Sequence, residues 1–372
     1  MNLKSKIIRS VISFPGFKTK RKIVVIESDD WGSVRMPSRE VYDYLLRHGY
    51  RVDNLSYSRY DSLACETDLS LLFEVLRSVK DKNNNPAVIT ANTIVANPDF
   101  IKIKATNYQQ YYYEPFTETL KHYSHHHSSF KLWQDGMRAG VFRPQFHGRE
   151  HLNVTRWMKA LQNNTGKARF ACDLGMFDLS EGPQMSENTY VDAHNFEKKD
   201  ELDFQRESII QGLDLFETIF GYKSTTFISP CYIWDKDLEP ILANKGVSGI
   251  QGSWFQLQPT VGVNTKFKKK FHYTGQRNTN NQSYLVRNVY FEPSGDSKFD
   301  WVSDALQRIE FAFKWHKPVI ISSHRINFIG FIDPNNRDQN LVLFAQLLKE
   351  ITKRWPDVEF MSSDQLLKVI AD

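Results

Sequence analysis

KIVVIESDDWG, residues 22–32, is the stretch on which the fold turns. Ile23 to Ile26 form an unbroken apolar run, the pattern of a strand buried on both faces. Two adjacent carboxylates, Asp29 and Asp30, follow at once, then Trp31 and a turn glycine. Further runs of this kind are AVIT (87–90), FRPQF (142–146), ARFACD (168–173), TTFIS (225–229), SGIQG (248–252), VIISS (319–323) and VEFM (358–361). Helix-period stripes lie between them: Leu69, Leu72, Phe73, Leu76 and Val79; Ile209, Leu213, Phe216 and Phe220; Ala305, Ile309, Ala312 and Phe313; Leu341, Phe344, Leu348 and Ile351. Repeated strand-then-helix order predicts an α/β protein with a parallel sheet, and this many strands favour a barrel over a doubly wound sheet.

Residues 21–372 read as a single barrel domain with two interruptions. Residues 98–141 are rich in aromatics and histidine, and residues 255–300 are polar; both are expected to be insertions or long loops, the segments that shape the mouth of a site. Residues 1–20 read as a basic N-terminal arm. Lys4, Lys6, Arg9, Lys18, Lys20, Arg21 and Lys22 are expected to be solvated, with peripheral contact to anionic lipid as the other use of such a segment.

A chain of 372 residues, 41% apolar and 24% charged, can bury a full core without staples. Its net charge of +5 is dispersed, which excludes a nucleic-acid footprint. Cys65, Cys172 and Cys231 are odd in number and widely spaced, which excludes a Cys-rich zinc site and fits a reducing compartment. Arg9 and Pro15 interrupt the apolar start before it reaches the length of a signal or membrane segment, so a cytoplasmic protein is expected.

Four clusters carry candidate chemistry, each with a plain structural alternative. Adjacent Asp29 and Asp30 repel unless a cation or proton divides their roles, though a solvated turn also accommodates them. His147 and His151, four apart, would share one face of a helix and could hold one ion; a hydrogen-bonded core pair would look the same. Gly148 stands where a metalloprotease helix needs its glutamate, so that chemistry is not supported. His324 ends a buried strand, a position that suits an acid or base and equally a structural histidine. Pro230, with Cys231 and Tyr232, follows another strand, where backbone N–H groups could face an oxyanion or simply form a turn. All four lie at or just beyond strand ends, which a parallel sheet collects on one rim. Trp31, Trp234 and Trp254 could stack on sugar rings or serve as packing. The His125–His127 tract could be a second metal site or a polar loop.

With these motifs in this order, residues 22 to about 330 resemble the polysaccharide deacetylase family, the NodB-homology proteins of carbohydrate esterase family four. The resemblance implies a distorted (β/α)7 barrel that removes an acetyl group, N-acetyl before O-acetyl, from a carbohydrate; the expected cytoplasmic location in turn points to an intracellular surface-polysaccharide precursor. It implies Asp30, His147 and His151 as ligands of a divalent metal, with Zn²⁺ the expected ion. Asp29 would be the general base and His324 the general acid. Pro230 and Cys231 would match the family's Pro-aromatic pair, with Cys231 or Tyr232 offering the oxyanion N–H. The sequence departs from the pattern at Trp31, inserted before the glycine, and at Ile228, where the family has an arginine that pairs with the base; Arg143, Arg149 and Arg325 are the candidates to replace it. Two other readings remain: a glycoside hydrolase using Asp29 and Asp173, and a non-catalytic sugar-binding relative.

Overall fold

The computed structural model describes residues 15–179, 189–262 and 267–372. Nine strands form one sheet: β1 (Lys22–Trp31), β2 (Ile89–Ile94), β3 (Phe142–Gly148), β4 (Thr226–Ile228), β5 (Gly249–Gly252), β6 (Ser283–Val286), β7 (Val289–Tyr290), β8 (Val319–His324) and β9 (Val358–Met361). Every pairing in it is parallel. The order is β6-β5-β4-β3-β2-β1-β8-β7, and β9 pairs with the first half of β1.

The two ends of this sheet are one piece of chain. Only Arg287 and Asn288 separate β6, which pairs with β5, from β7, which pairs with β8. The linking backbone bonds to both sides, Arg287 N–H to Gly252 O at 2.9 Å and Asn288 N–H to Ile320 O at 3.1 Å. Residues 283–290 thus act as one bent strand that curls the sheet into a distorted barrel, as the (β/α)7 reading expects. Residues 255–300 are accordingly not all insertion: an antiparallel pair, Phe255–Gln258 with Lys268–Phe271, precedes this barrel strand.

Side-chain alternation along β1 sets the interior. Ile23 and Val25 pack inside the barrel with Leu285, Ile320 and Leu366, while Val24 and Ile26 face the outer helices. By the same period Glu27 and Asp29 fall on the inner side. The outer layer contains α1 (Glu66–Arg77), α2 (Ser129–Arg138), α3 (Val154–Asn163), α4 (Glu201–Phe220), α5 (Trp301–Lys314) and α6 (Pro334–Arg354). The expected stripes of α1, α5 and α6 join one core cluster, and that of α4 joins another. Leu366 comes from α7 (Ser363–Ala371), which packs into the barrel interior beside Ile23 and Val25.

Three expectations need correction. ARFACD is a helix, Ala168–Asp173, whose buried Ala168, Ala171 and Cys172 pack on one side. Residues 98–141 include α2, part of the barrel wall, in addition to inserted structure such as the Ala96–Pro98/Tyr113–Pro115 strand pair. Residues 15–20 are no free arm: the Lys317 ammonium donates to the carbonyls of Pro15, Gly16 and Phe17, and Thr19 N–H donates to His316 O. Lys4, Lys6 and Arg9 lie outside the described residues. No helix among the described residues is long and apolar enough to cross a membrane.

A candidate metal and acid–base site at the barrel mouth

A backbone irregularity turns Asp30 inward beside Asp29. The register between β1 and β2 slips between Ser28 and Trp31, and Asp30 sits at φ 70°. For a residue with a side chain that conformation costs roughly 1 kcal/mol, a strain characteristic of functional positions. It lets Asp30 join Asp29 in the pocket and sends Trp31 outward. Trp31 is 1% exposed, packs edge-on against Trp133 and Phe142 and donates its indole N–H to Ser28 Oγ. A sugar-stacking role for Trp31 is therefore set aside.

Asp30, His147 and His151 come together, their candidate ligand atoms all within 4.8 Å of one another. The histidines do not share a helix, contrary to the sequence reading. His147 belongs to β3 and His151 to the loop beyond it; the Val154–Met158–Leu161 stripe is that of α3, which starts later, capped by Asn153. Asp30 Oδ1 is 3.4 Å from His147 Nε2 and 3.2 Å from His151 Nε2. Donors bound at 2.0–2.1 Å around a tetrahedral ion stand roughly 3.4 Å apart, so the spacing fits. The hydrogen bonding fits too. His147 Nδ1 lies 2.9 Å from the Ile228 carbonyl, which can only accept, so Nδ1 donates there and Nε2 is the ring atom turned toward Asp30 as a ligand would be. Burial brings His151 down to about 4, against the pull of Asp30, leaving it neutral at pH 7 as a ligand must be. The loop carrying it is fixed by the buried Arg149–Glu150 pair and by the Tyr111 hydroxyl on Glu150.

Asp29 stands beside the triad in a charged network. Burial alone would raise its pKa, but the Arg287 guanidinium overrides this and holds it at about 2. Two nitrogens of Arg287 reach its two oxygens at 2.7 and 2.6 Å, and Asn92 donates to Oδ1 at 2.7 Å. The third guanidinium nitrogen donates to Glu27 at 2.6 Å, and Ser363 donates to the other Glu27 oxygen. Arg287 thus supplies the charge absent at Ile228. The three arginines named from sequence are occupied elsewhere: Arg143 on Asp364, Arg149 on Glu150 and Arg325 on Asp61.

His324 faces Asp29 across 3.7 Å, and its Nδ1 lies 2.7 Å from Glu292, which Asn327 also holds. Burial pushes this imidazole down; Glu292 and then Asp29 outweigh it and keep it charged up to about 9. Cys231 and Tyr232 line the same pocket at φ 57° and 58°, next to buried Pro230. The Tyr232 N–H already donates to Ser229 O, which leaves Cys231 as the oxyanion candidate of the two; the Tyr232 hydroxyl instead accepts from Arg287. The pocket holds about 280 Å³ and is also lined by Arg35, Tyr57 and Leu257.

The remaining candidates lie elsewhere. Asp173 is on the surface, paired with Lys104. Trp234 is buried and donates to Glu239, and Trp254 stacks on Phe271 outside the pocket lining. His126 is bound to the carbonyls of Ser124 and Leu63. Sequence reading missed Arg287 and Glu292. Their signal was a charge inside the apolar run YLVRNVYFE, 284–292, within a region taken for a polar loop.

No protein-family model matches the chain, and no curated protein matches it. Solved structures similar to it include a putative polysaccharide deacetylase from Mycobacterium smegmatis, at 10% identity and a TM-score of 0.47, covering 96% of this chain and 93% of that one. A 4-alpha-glucanotransferase from Thermococcus litoralis has 9% identity and a TM-score of 0.47, with 94% of this chain and 40% of that one covered. A probable polysaccharide deacetylase from Pseudomonas aeruginosa PAO1 has 8% identity and a TM-score of 0.44, with 94% and 91% covered. Proteins of different chemistry share this level of likeness, so function has to be argued from the site.

Proposed function

We propose that this chain is a metal-dependent hydrolase that removes an acetyl group from a carbohydrate. One observation carries the reading: a metal-shaped Asp30–His147–His151 triad shares its pocket with a carboxylate kept ionised by Arg287 and an imidazole kept protonated by Glu292. Hydrolysis of an amide needs those three functions at one carbon.

Asp30, His147 and His151 would hold a divalent ion, with Zn²⁺ suited to two imidazoles and one carboxylate. Such an ion supplies Lewis-acid polarisation of the acyl carbonyl and of water. Asp29 orients the attacking water and receives its proton, while Arg287 and Asn92 fix the carboxylate in place. The Cys231 N–H is the candidate donor to the oxygen on which charge develops. His324 gives its proton to the departing atom. An amine leaves poorly without that proton, so a charged His324 favours an amide over an ester.

The glycosidase reading loses its second carboxylate, because Asp173 lies on the surface. A purely sugar-binding role leaves the opposed charges of Asp29 and His324 without a purpose. The test is acetate release from N-acetylated and O-acetylated sugars by the Zn²⁺-loaded protein. Release from the amides, abolished in His324→Ala, is expected; a loaded protein that releases no acetate from any of them refutes the proposal.

A further inference from the structure

Arg35 has no part in the mechanism above, yet its side chain enters the same pocket. The loop that carries it is tied down on both sides: Val34 N–H donates to Asn97 at 2.8 Å, and Met36 N–H donates to Asp61 O at 3.1 Å. Its guanidinium lies near the Tyr57 and Phe177 rings and is only 10% exposed. The surrounding carboxylates are Asp30, Asp61 and Asp178. Asp30 Oδ2 is 3.6 Å away and Asp61 Oδ2 is 3.7 Å away, close enough to attract but too far to accept a hydrogen bond. Arg35 Nε is buried with no hydrogen-bond partner.

Neither near carboxylate takes a hydrogen bond from this cation. Asp61 already receives two nitrogens of Arg325, each at 3.0 Å, and Asp30 Oδ1 faces the two histidines. A positive charge beside a metal ligand opposes binding of a second cation, so a purely structural arginine here would work against the triad. A guanidinium that lines a pocket, is held by its loop and has its Nε unmatched suits a planar oxyanion ligand. Arg35 lies 3.6 Å from Asp30 Oδ2 while both histidines lie within 3.4 Å of Oδ1, so a ligand on Arg35 would sit within one sugar ring of the acetyl group.

We propose that Arg35 binds an anionic substituent, a carboxylate or a phosphate, on the same sugar that presents its acetyl group to Asp30, His147 and His151, so that the substrates of this site are acidic sugars. The position of the acetyl group rests on the deacetylase reading; the anion contact rests on Arg35 alone.

The test is calorimetric titration of the Zn²⁺-loaded protein with three probes, N-acetylglucosamine, N-acetylmuramic acid and N-acetylglucosamine 1-phosphate, with acetate measured in parallel. At least one acidic probe is expected to bind about tenfold or more tighter than the neutral sugar, the scale of a charged hydrogen bond. Which one does so separates carboxylate from phosphate. Arg35→Gln should erase the difference while keeping metal stoichiometry and affinity for the neutral sugar, and Arg35→Lys should retain part of it. Equal binding of all three probes by wild type, binding of none, or an acidic preference that survives in Arg35→Gln overturns the proposal. Acetate release without acidic preference removes the anion contact and leaves the deacetylase reading standing. An Arg35-dependent preference without acetate release does the reverse.

Discussion

Arg287 grips both oxygens of Asp29, at 2.7 and 2.6 Å, from the one position where the barrel strand changes partners between β5 and β8. Closure of the barrel and charging of the candidate base therefore depend on the same residue. Arg287 is fully buried, as is Glu27, its second carboxylate partner.

Replacing Arg287 by Met should leave Glu27 without a cation and Asp29 with only His324, and breaking such a buried pair typically costs about 3–5 kcal/mol. Urea denaturation should show that loss, and adding Glu27→Gln should return part of it. A change in Arg287→Met below about 1 kcal/mol, the range of an exposed ion pair, would contradict the buried network.

Asp29→Asn removes the proton acceptor and keeps the shape. Acetate release by the loaded protein should fall about 10²–10⁴-fold, the usual contribution of a positioned base. Bound metal should stay at the wild-type level, because Asp29 is not in the triad. Loss of metal with activity would instead assign Asp29 as a ligand.

The pH dependence follows from two opposed shifts. Asp29 is ionised above about 2 and His324 is protonated below about 9, so both are in working form between those values. The pH–rate profile should lose activity as the pH rises through about 9, where His324 gives up its proton. Glu292→Gln removes a charge that holds the imidazole up, so the alkaline limb should move to lower pH. The same raised pKa contributes stability that is complete below the ordinary histidine value and fades as the pH rises through about 9. An alkaline limb that Glu292→Gln leaves in place would remove His324 as the acid.

Much of this was legible in the sequence because period and placement are local properties. The unbroken run Ile23–Ile26 marked a buried strand, and the helical stripes marked the outer layer. Asp29, Asp30, His147, His151 and His324 stand out by type and by position at strand ends, and the family resemblance supplies their roles. What was lost was long-range. His147 and His151 are four apart, a helical spacing, and nothing local says that a strand ends between them. Arg287 looked like part of a polar loop because only pairing with β5 and β8, distant in sequence, makes 283–290 a barrel strand. Trp31 beside two pocket residues suggested a sugar platform; the slip at Asp30 turns it to the core, an effect of backbone geometry that composition does not reveal.

Metal content tests the central claim most directly. Purified wild type, equilibrated with Zn²⁺ and freed of excess, should retain one ion per chain by elemental analysis, and His151→Ala should lose it while remaining folded by circular dichroism. Wild type that retains no stoichiometric divalent ion, or a His151→Ala protein that binds it as tightly, would contradict a metal site at Asp30, His147 and His151.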